Sequence, residues 1–367
     1  MKVKAKGLKM ASEFRHLTWL EQCKGAKHNL GSSSILTYSL KDIGPMDPQQ
    51  QVGGANPAGD VELVEMLSQA YRVEKDRIMV TNGAGEANAH IAMVSVEKGD
   101  EVLAERPVYQ SLIEVPRFLG ARVVHFERRL AEGFGIDLEK FKTKLTRRCR
   151  LVILTNLHNP SCAKLDEGTL RGVAELAADA GAKVLSDEVY LDCAHPGAPP
   201  PMASLGENCL STNSLSKAYG AGGFRLGWAI GAPGLVKALK RLRDHTSIAP
   251  NRLGEEAAKS LFRRREEVLA RTRYITRRNT SAMDHWVSTR KDVLWFKPTA
   301  GTICFPKILK KTSTIHVAQR CFAEESLLVC PGEFFGAAGH FRIGLGGVPE
   351  LFMPALEALG RVLDRTD

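Results

Sequence analysis

The amino-acid sequence predicts an α/β protein built on a mainly parallel sheet of the seven-stranded type with helices on both faces. Two patterns support this prediction. Short apolar segments with the length of buried strands recur between residues 77 and 231, and helical patterns with apolar residues three and four positions apart lie between several of them. Parallel strands need crossover connections, so this alternation favours a sheet covered by helices on both faces.

The strands and helices follow in chain order from these patterns. The predicted strands are residues 77–82, 100–105, 121–126, 150–156, 182–188, 209–214 and 225–231. The clearest helices are 61–72, 86–96 and 170–181, with Gly181 as the expected carboxyl-terminal cap of the last one. Ligands of such sheets bind beyond the carboxyl ends of the strands, so the polar residues at those ends are the candidate functional residues.

The pattern changes after residue 231, where long charged helices run to about residue 284 and are followed by strand-like segments and a closing helix. The 367 residues also exceed one average domain of roughly 150 residues. We therefore predict a large domain over 41–280, a smaller α+β domain over 281–367, and an N-terminal arm over 1–40 that joins the small domain.

The composition indicates a globular protein and argues against membrane, metal-binding and nucleic-acid-binding proteins. With 44% hydrophobic and 25% charged residues the chain is expected to be globular, and the absence of an apolar run of roughly 20 residues predicts a cytoplasmic protein with no membrane partner. Eight scattered cysteines without a CxxC pair predict reduced thiols and no metal site. The net charge of +10 could indicate nucleic-acid binding, but the basic residues alternate with acidic ones in helical patterns, which favours solvated helix faces.

Three strand ends carry residues typical of chemistry. The glycine-containing turn 82–87 opens a helix whose backbone N–H groups could bind phosphate, although it has neither the P-loop nor the GxGxxG spacing. Asp187 ends a buried strand, where a carboxylate needs a cation or a ligand. Lys217 follows another strand among small residues, as expected of a Schiff-base lysine with a lowered pKa. Each feature alone is also common in structural roles.

Together these segments match a known pattern. The motifs are TNGAGEAN (81–88), RPVYQSL (106–112), NLHNPS (156–161), SDEVY (186–190), SLSKAYGAGGFRLGW (214–228) and FRIGLG (341–346). In their order and spacing the sequence resembles the class I/II aminotransferases of fold type I, which use pyridoxal 5′-phosphate (PLP). The most specific feature is Ser214, Lys217 and Arg225 in the fifth motif.

The resemblance implies a role for each residue of the predicted catalytic group. Lys217 forms the internal aldimine with PLP and then moves the proton at the substrate. Asp187 pairs with the pyridine nitrogen, so that the ring accepts electrons. Asn159 and Tyr190 hydrogen-bond the phenolate oxygen, and Tyr109 stacks on the ring.

The resemblance also implies the phosphate and substrate contacts. The phosphate is held by the helix start and by hydroxyl and guanidinium groups, namely Ala84, Gly85, Glu86, Ser214, Ser216 and Arg225. Arg342 binds the substrate α-carboxylate, with Asn159 close by and Gly31 of the N-terminal arm as a further candidate contact.

The sequence departs from the family pattern at two places. Val52 or Gly54 stands where many relatives carry a tyrosine that reaches the phosphate of the neighbouring subunit, and Cys162 replaces a glycine after the NPS segment. No second arginine can be assigned to a distal carboxylate of a substrate.

The resulting prediction is a homodimeric PLP-dependent aminotransferase that moves an amino group between an L-amino acid and a 2-oxo acid. A PLP-dependent lyase or a cyclase or synthase of the same fold remains the alternative, because these enzymes share the same residues. A requirement for an added oxo acid distinguishes them. A non-catalytic binding protein is a third possibility, against which the intact Lys217, Asp187 and Arg342 argue.

Overall fold

The computed structural model describes residues 10–44, 46, 49, 51 and 56–366, so the departures at Val52 and Gly54 lie outside the described residues. The strands are β1 (His28–Asn29), β2 (Ile78–Thr81), β3 (Glu101–Arg106), β4 (Arg122–Glu127), β5 (Cys149–Thr155), β6 (Lys183–Asp187), β7 (Cys209–Ser214), β8 (Gly227–Gly231), β9 (Val293–Leu294), β10 (Ile303–Cys304), β11 (Lys307–Ile308), β12 (Leu327–Leu328), β13 (Cys330–Pro331) and β14 (Phe341–Gly344). The helices are α1 (Arg15–Gln22), α2 (Leu40–Ile43), α3 (Val61–Tyr71), α4 (Ala84–Ser95), α5 (Gln110–Leu119), α6 (Leu138–Lys144), α7 (Glu167–Asp179), α8 (Pro233–Arg243), α9 (Arg252–Arg263), α10 (Arg265–Ser288), α11 (Thr314–Glu325) and α12 (Pro349–Asp364).

The predicted α/β fold is confirmed by a seven-stranded sheet with the order β2-β8-β7-β6-β5-β3-β4. Strand β8 is antiparallel to β2 and β7, and the other pairs are parallel. Helices cover both faces, which is why β5 is apolar from Leu151 to Leu154: Leu151 and Ile153 pack into one core with α4, and Val152 and Leu154 pack into the other with α7.

Two helices begin earlier than their apolar patterns indicate. Helix α7 starts at Glu167 because the Asp166 side chain accepts a hydrogen bond from the Thr169 N–H at 2.8 Å. Helix α4 starts at Ala84, directly after Gly83. Gly181, the expected cap, lies two residues beyond Asp179, the last residue of α7, and has a φ of 73°.

The N-terminal arm packs against the C-terminal part of the chain. Strand β1 pairs in parallel with β12, and the Trp19 indole N–H donates to the Val329 carbonyl at 2.9 Å. Trp19, Cys23 and Leu30 belong to the same apolar core as α11 and α12. We propose on this basis that residues 10–40 and 281–366 form one unit beside the sheet domain 41–280, while residues 1–9 and 367 of the predicted ranges lie outside the described residues.

Helix α10 connects the two cores. Val268 and Leu269 near its beginning pack with α3 and α9, whereas Met283 and Trp286 near its end pack with the C-terminal core. The boundary that we propose near residue 280 therefore lies inside a continuous helix.

Membrane-spanning helices and metal-binding clusters are both absent from the part of the chain that the structure describes. Among the described residues, no helix is long and apolar enough to cross a membrane, and no group of His, Cys, Asp and Glu is arranged to hold a metal ion. All eight cysteines are buried and free.

Candidate active site

The predicted site residues gather at the carboxyl edge of the sheet. Asp187 ends β6, Ser214 ends β7, and α4 begins immediately after β2. Arg342 reaches the same region from β14 in the C-terminal unit, and residues 29–34 of the arm lie against it. The site therefore lies between the sheet and the C-terminal unit.

Lys217 is partly buried in this region. Its ammonium group donates to the Ser33 hydroxyl at 2.7 Å and lies 5.9 Å from the centre of the Tyr190 ring. Burial lowers the pKa of Lys217 to about 8, and the positive charge of Arg342 adds to this effect while Asp187 opposes it. Ser33 was missed in the sequence, although it lies two residues after Gly31 in a run of three serines.

Asp187 is held as a hydrogen-bond acceptor on both of its oxygens. The Asn88 amide donates to one oxygen at 2.8 Å and the Val189 N–H to the other at 3.2 Å. The Thr212 hydroxyl in turn donates to the Asn88 carbonyl oxygen at 2.7 Å, which fixes the amide orientation. Burial raises the pKa of Asp187, and the bond from Asn88 counteracts this effect. Asn88 stands in the first motif but had no predicted role.

Two buried polar groups near Lys217 lack a partner. The Tyr190 hydroxyl, although close to Ser33, and the Asn159 side-chain oxygen make no hydrogen bond with any described residue. Each unpaired buried group of this kind costs roughly 1–3 kcal/mol, so both fit a site that a polar ligand completes. Burial raises the pKa of Tyr190. Tyr109, at the start of α5, is half-buried, and burial raises its pKa too.

The start of α4 forms a compact anion cradle. Gly83 has a φ of 86°, and a Cβ there would lie 2.9 Å from the Arg225 guanidinium, so this guanidinium lies directly against the helix N-terminus. A Cβ on Gly227 would lie 2.6 Å from the Ala84 nitrogen, so β8 also packs tightly against this turn. The first-turn N–H groups of α4 and the Arg225 cation form a site suited to phosphate.

The remaining predicted phosphate contacts lie next to this cradle. Gly85 and Glu86 are in the first turn of α4, where the Glu86 carboxylate accepts from the Asn82 N–H at 2.7 Å. The Ser214 hydroxyl accepts from the Ser216 N–H at 3.3 Å, and the exposed Arg225 donates to the Gly222 carbonyl at 3.0 Å.

Arg342 is fully buried without an acidic partner among the described residues. Its Nη2 lies 2.8 Å from the Nε2 atom of His16 and 3.4 Å from the Gly31 carbonyl, and its guanidinium lies 4.9 Å from the Phe335 ring centre. The Gly31 N–H is already used, since it donates to the Asn29 side chain at 3.0 Å. Gly31 thus contacts the guanidinium through its carbonyl, an arrangement in which its N–H does not serve a substrate carboxylate.

His16 was not identified in the sequence, because the segment around it carries no motif. Burial and the charges of Arg342 and Lys217 lower its pKa to about 2, so the imidazole is neutral. His16, Tyr109 and Lys217 line a cavity of about 480 Å³ that extends to Leu20 and Lys24 of the arm.

The sequence of the chain is similar to a known protein family and to curated members of it. The family model described as aminotransferase class I and II matches residues 50–359. Among curated proteins, capreomycidine synthase of Streptomyces vinaceus is 29% identical over 341 residues, which is 89% of this chain and 87% of the relative. An aspartate/prephenate aminotransferase of Thermus thermophilus is 28% identical over 85% of this chain and 83% of the relative.

The solved structures that resemble the chain also include both an aminotransferase and a cyclase. A PLP-dependent aminotransferase from Streptococcus suis superposes with a TM-score of 0.88 at 26% identity, covering 97% of this chain and 99% of that one. The PLP-dependent cyclase OrfR superposes with a TM-score of 0.89 at 26% identity, covering 98% and 99%.

Proposed function

The chain belongs to the class I and II aminotransferases and uses PLP, and we propose that it moves an amino group between an L-amino acid and a 2-oxo acid. The observation that carries the proposal is the position of Lys217. Its amine has a pKa lowered to about 8 and interacts electrostatically with both Asp187 and Arg342. The carboxyl edge of the sheet therefore brings together an amine, a buried acid and a cation for a substrate carboxylate.

The residues present fit PLP. The α4 cradle with Arg225 and Ser214 suits its phosphate, and the unpartnered Tyr190 hydroxyl and Asn159 amide suit its phenolate oxygen. Asp187 suits the protonated pyridine nitrogen. When bound, PLP supplies a carbonyl that captures amines and a ring that delocalises the electron pair left at the α carbon.

We propose that Lys217 first holds the cofactor and later moves the proton at the α carbon of the substrate. At a pKa of about 8, roughly a tenth of the amine is already neutral at pH 7, compared with far less for an ordinary lysine. The Ser33 hydroxyl accepts from Nζ and keeps the amine at the cavity wall. The hydrogen bond from Asn88 favours the charged, accepting form of Asp187.

Arg342 would bind the α-carboxylate of the substrate. Its only side-chain hydrogen-bond partner among the described residues is a neutral histidine, so its charge is not cancelled by an acidic neighbour. A guanidinium without an acidic partner attracts a carboxylate strongly. Its parallel N–H groups can donate to both carboxylate oxygens, which fixes the orientation of the carboxylate.

Cyclisation is the second candidate reaction. It is favoured by two observations, the 29% identity to capreomycidine synthase and the TM-score of 0.89 to the cyclase OrfR. In both transamination and cyclisation, Lys217 would remove the α proton of the amino acid. The two reactions would differ in the product that is released.

We also propose that the protein is a cytoplasmic homodimer. The eight buried, free cysteines suit a reducing compartment. Val61, Ile248 and Leu253 are 75%, 53% and 43% exposed. The Arg252 guanidinium lies 3.3 Å from the Asp60 carboxylate. These two residues directly precede Leu253 and Val61, so the segments that carry the exposed apolar side chains are neighbours in the fold. The Asn251 N–H also donates to Asn82 beside the α4 cradle, so a partner covering this face would lie next to the site.

The test is a visible absorption spectrum of the PLP-loaded protein during addition of single amino acids without an oxo acid. For a transaminase we expect one amino acid to convert the cofactor stoichiometrically to its pyridoxamine form, after which an oxo acid restores the original band. Continued consumption of the amino acid without an oxo acid would instead establish the cyclase or lyase reaction.

Lys217→Ala is expected to lose the band and the activity, whereas Lys297→Ala, at a surface ion pair with Asp284, is expected to keep both. A normal band in Lys217→Ala would refute the assignment.

A further inference from the structure

His16 combines three properties that the proposed reaction does not use. It is buried, with 4% of its surface exposed, it contacts Arg342, and it lines the cavity that contains Lys217. It also lies on α1, which no motif marks as functional.

The hydrogen bond to Arg342 fixes the imidazole tautomer. A guanidinium only donates, so Nη2 of Arg342 donates to Nε2 of His16 over 2.8 Å. The proton of the neutral ring is therefore on Nδ1. This Nδ1–H is buried and has no partner among the described residues.

The groups around the cavity carry one sign of charge. Lys24 and Lys217 line it, and Arg342 is in contact with His16. The other polar lining groups are the Asn29 amide, the hydroxyls of Tyr109 and of the serines at 32–34, and the Cys23 thiol, and no carboxylate is among the described lining residues. A cationic substrate side chain would find no counter-ion here, whereas an oxygen acceptor would find several donors.

We propose that His16 is a specificity-determining residue that positions the Arg342 guanidinium through Nε2 and donates a hydrogen bond from Nδ1 to an oxygen in the substrate side chain. The preferred substrate class is thus an amino acid with a carboxylate, amide or hydroxyl oxygen in its side chain. Amino acids with a cationic side chain are disfavoured. The inference rests on the proposed function, because it takes Arg342 as the site of the α-carboxylate.

The test uses three carboxylates of similar length that cannot form an imine with PLP: succinate, butyrate and 3-guanidinopropanoate. They carry a carboxylate, a methyl and a guanidinium group at the same position of the chain, and none of them has a primary amine that could react with the cofactor. Dissociation constants on the PLP-loaded protein are measured by calorimetry. For the unmodified protein we expect succinate to bind at least tenfold more tightly than butyrate, and 3-guanidinopropanoate to bind most weakly.

In His16→Phe we expect the preference for succinate over butyrate to fall to within twofold, and butyrate itself to bind about tenfold more weakly because Arg342 loses its positioning partner. Lys24 remains in this variant, so the lost preference would belong to His16. His16→Gln retains an acceptor and a donor and is expected to restore most of the preference. His28→Phe, a histidine of the same arm outside this cavity, is the matched control and is expected to bind like the unmodified protein.

Unchanged constants in His16→Phe would overturn the inference, as would 3-guanidinopropanoate binding to the unmodified protein as tightly as succinate. The second result needs no variant, so the inference is testable even if His16→Phe does not fold. Carboxylates binding in the expected order without turnover of any amino acid would refute the proposed function and leave the role of His16 intact. Turnover of an amino acid, together with a binding order that does not change in His16→Phe, would support the proposed function and refute the role of His16.

Discussion

At the scale of single residues, the lowered pKa of Lys217 has an electrostatic origin that can be tested. Burial is its largest cause and the charge of Arg342 the second, so removing the guanidinium is expected to move this pKa upward from about 8. A primary amine attacks an aldehyde only when it is neutral. The rate at which the cofactor-free protein captures PLP should therefore rise with pH, reach half of its maximum near pH 8, and level off above.

For Arg342→Ala we expect the midpoint of this profile to shift to higher pH by about one unit, as measured by stopped-flow absorbance. Arg278→Ala, a surface arginine paired with Glu350, is the control and should leave the midpoint unchanged. An identical midpoint in Arg342→Ala would show that Arg342 does not influence Lys217.

The residues that sequence patterns identify are those attached to strand ends. Lys217, Asp187 and Arg342 each follow or occupy an apolar strand, so the motif and the sheet geometry indicate the same place. His16 and Ser33 come to the site through the packing of the N-terminal arm, and this tertiary contact leaves no local pattern. Asn88 lay within a motif, but its bond to Asp187 depends on the rotation of α4 and becomes visible only in three dimensions.

At the scale of elements, Glu188 ties the end of β6 to the short helix Met202–Ser204. Its carboxyl accepts from the Met202 N–H at 2.8 Å, and burial raises its pKa from 4.5 to about 8. Between these two pH values the folded protein keeps a proton that the unfolded chain has lost. The folded state therefore binds more protons, and the contribution of Glu188 to stability decreases as pH rises from about 4.5 to 8.

Glu188→Gln cannot titrate, so we expect its free energy of unfolding relative to the unmodified protein to increase by on the order of 2 kcal/mol between pH 5 and pH 8. Urea denaturation at the two pH values measures this difference. The surface variant Glu350→Gln provides the comparison. A difference that does not change with pH would show that Glu188 is ionised in the folded protein.

The elements themselves were predictable to different degrees. The strands of the seven-stranded sheet are short apolar segments of four to seven residues, and the bounds of each were predicted to within two residues. Helix α1 was missed because its eight residues make only about two turns, too few for a repeat to stand out, and its stability comes from contacts such as Trp19 with Val329. The two-residue strands of the C-terminal unit are too short for any alternation to appear.

At the scale of the whole molecule, the proposed dimer makes a prediction about the apolar face around Val61 and Leu253. A lysine there would place a charge in a buried interface, which is costly. We expect Val61→Lys/Leu253→Lys to sediment as a monomer at micromolar concentration, where the unmodified protein sediments as a dimer. Leu351→Lys replaces a leucine that is 60% exposed on α12 and should remain dimeric. A fully active monomer of the unmodified chain would refute the dimer.

The side of a parallel sheet that binds ligands follows from a general rule of α/β topology, so the sequence indicated at which edge to expect a site. The order of the strands, with the antiparallel β8 between β2 and β7, was not predicted. The pairing of β1 with β12 follows from no such rule. The two strands are far apart in the chain, and short strands of two residues do not specify their own partner.

That pairing also sets an order of events during translation. His28 leaves the ribosome early, but its partner Leu327 is made about 300 residues later, which at ordinary elongation rates of about 5–20 residues per second means a delay of roughly 15–60 s. The sheet, which ends at Gly231, is complete well before that. While the sheet folds, Trp19 and Leu30 of the nascent arm lack the C-terminal residues against which they pack. During this interval the arm is accessible to chaperones and proteases.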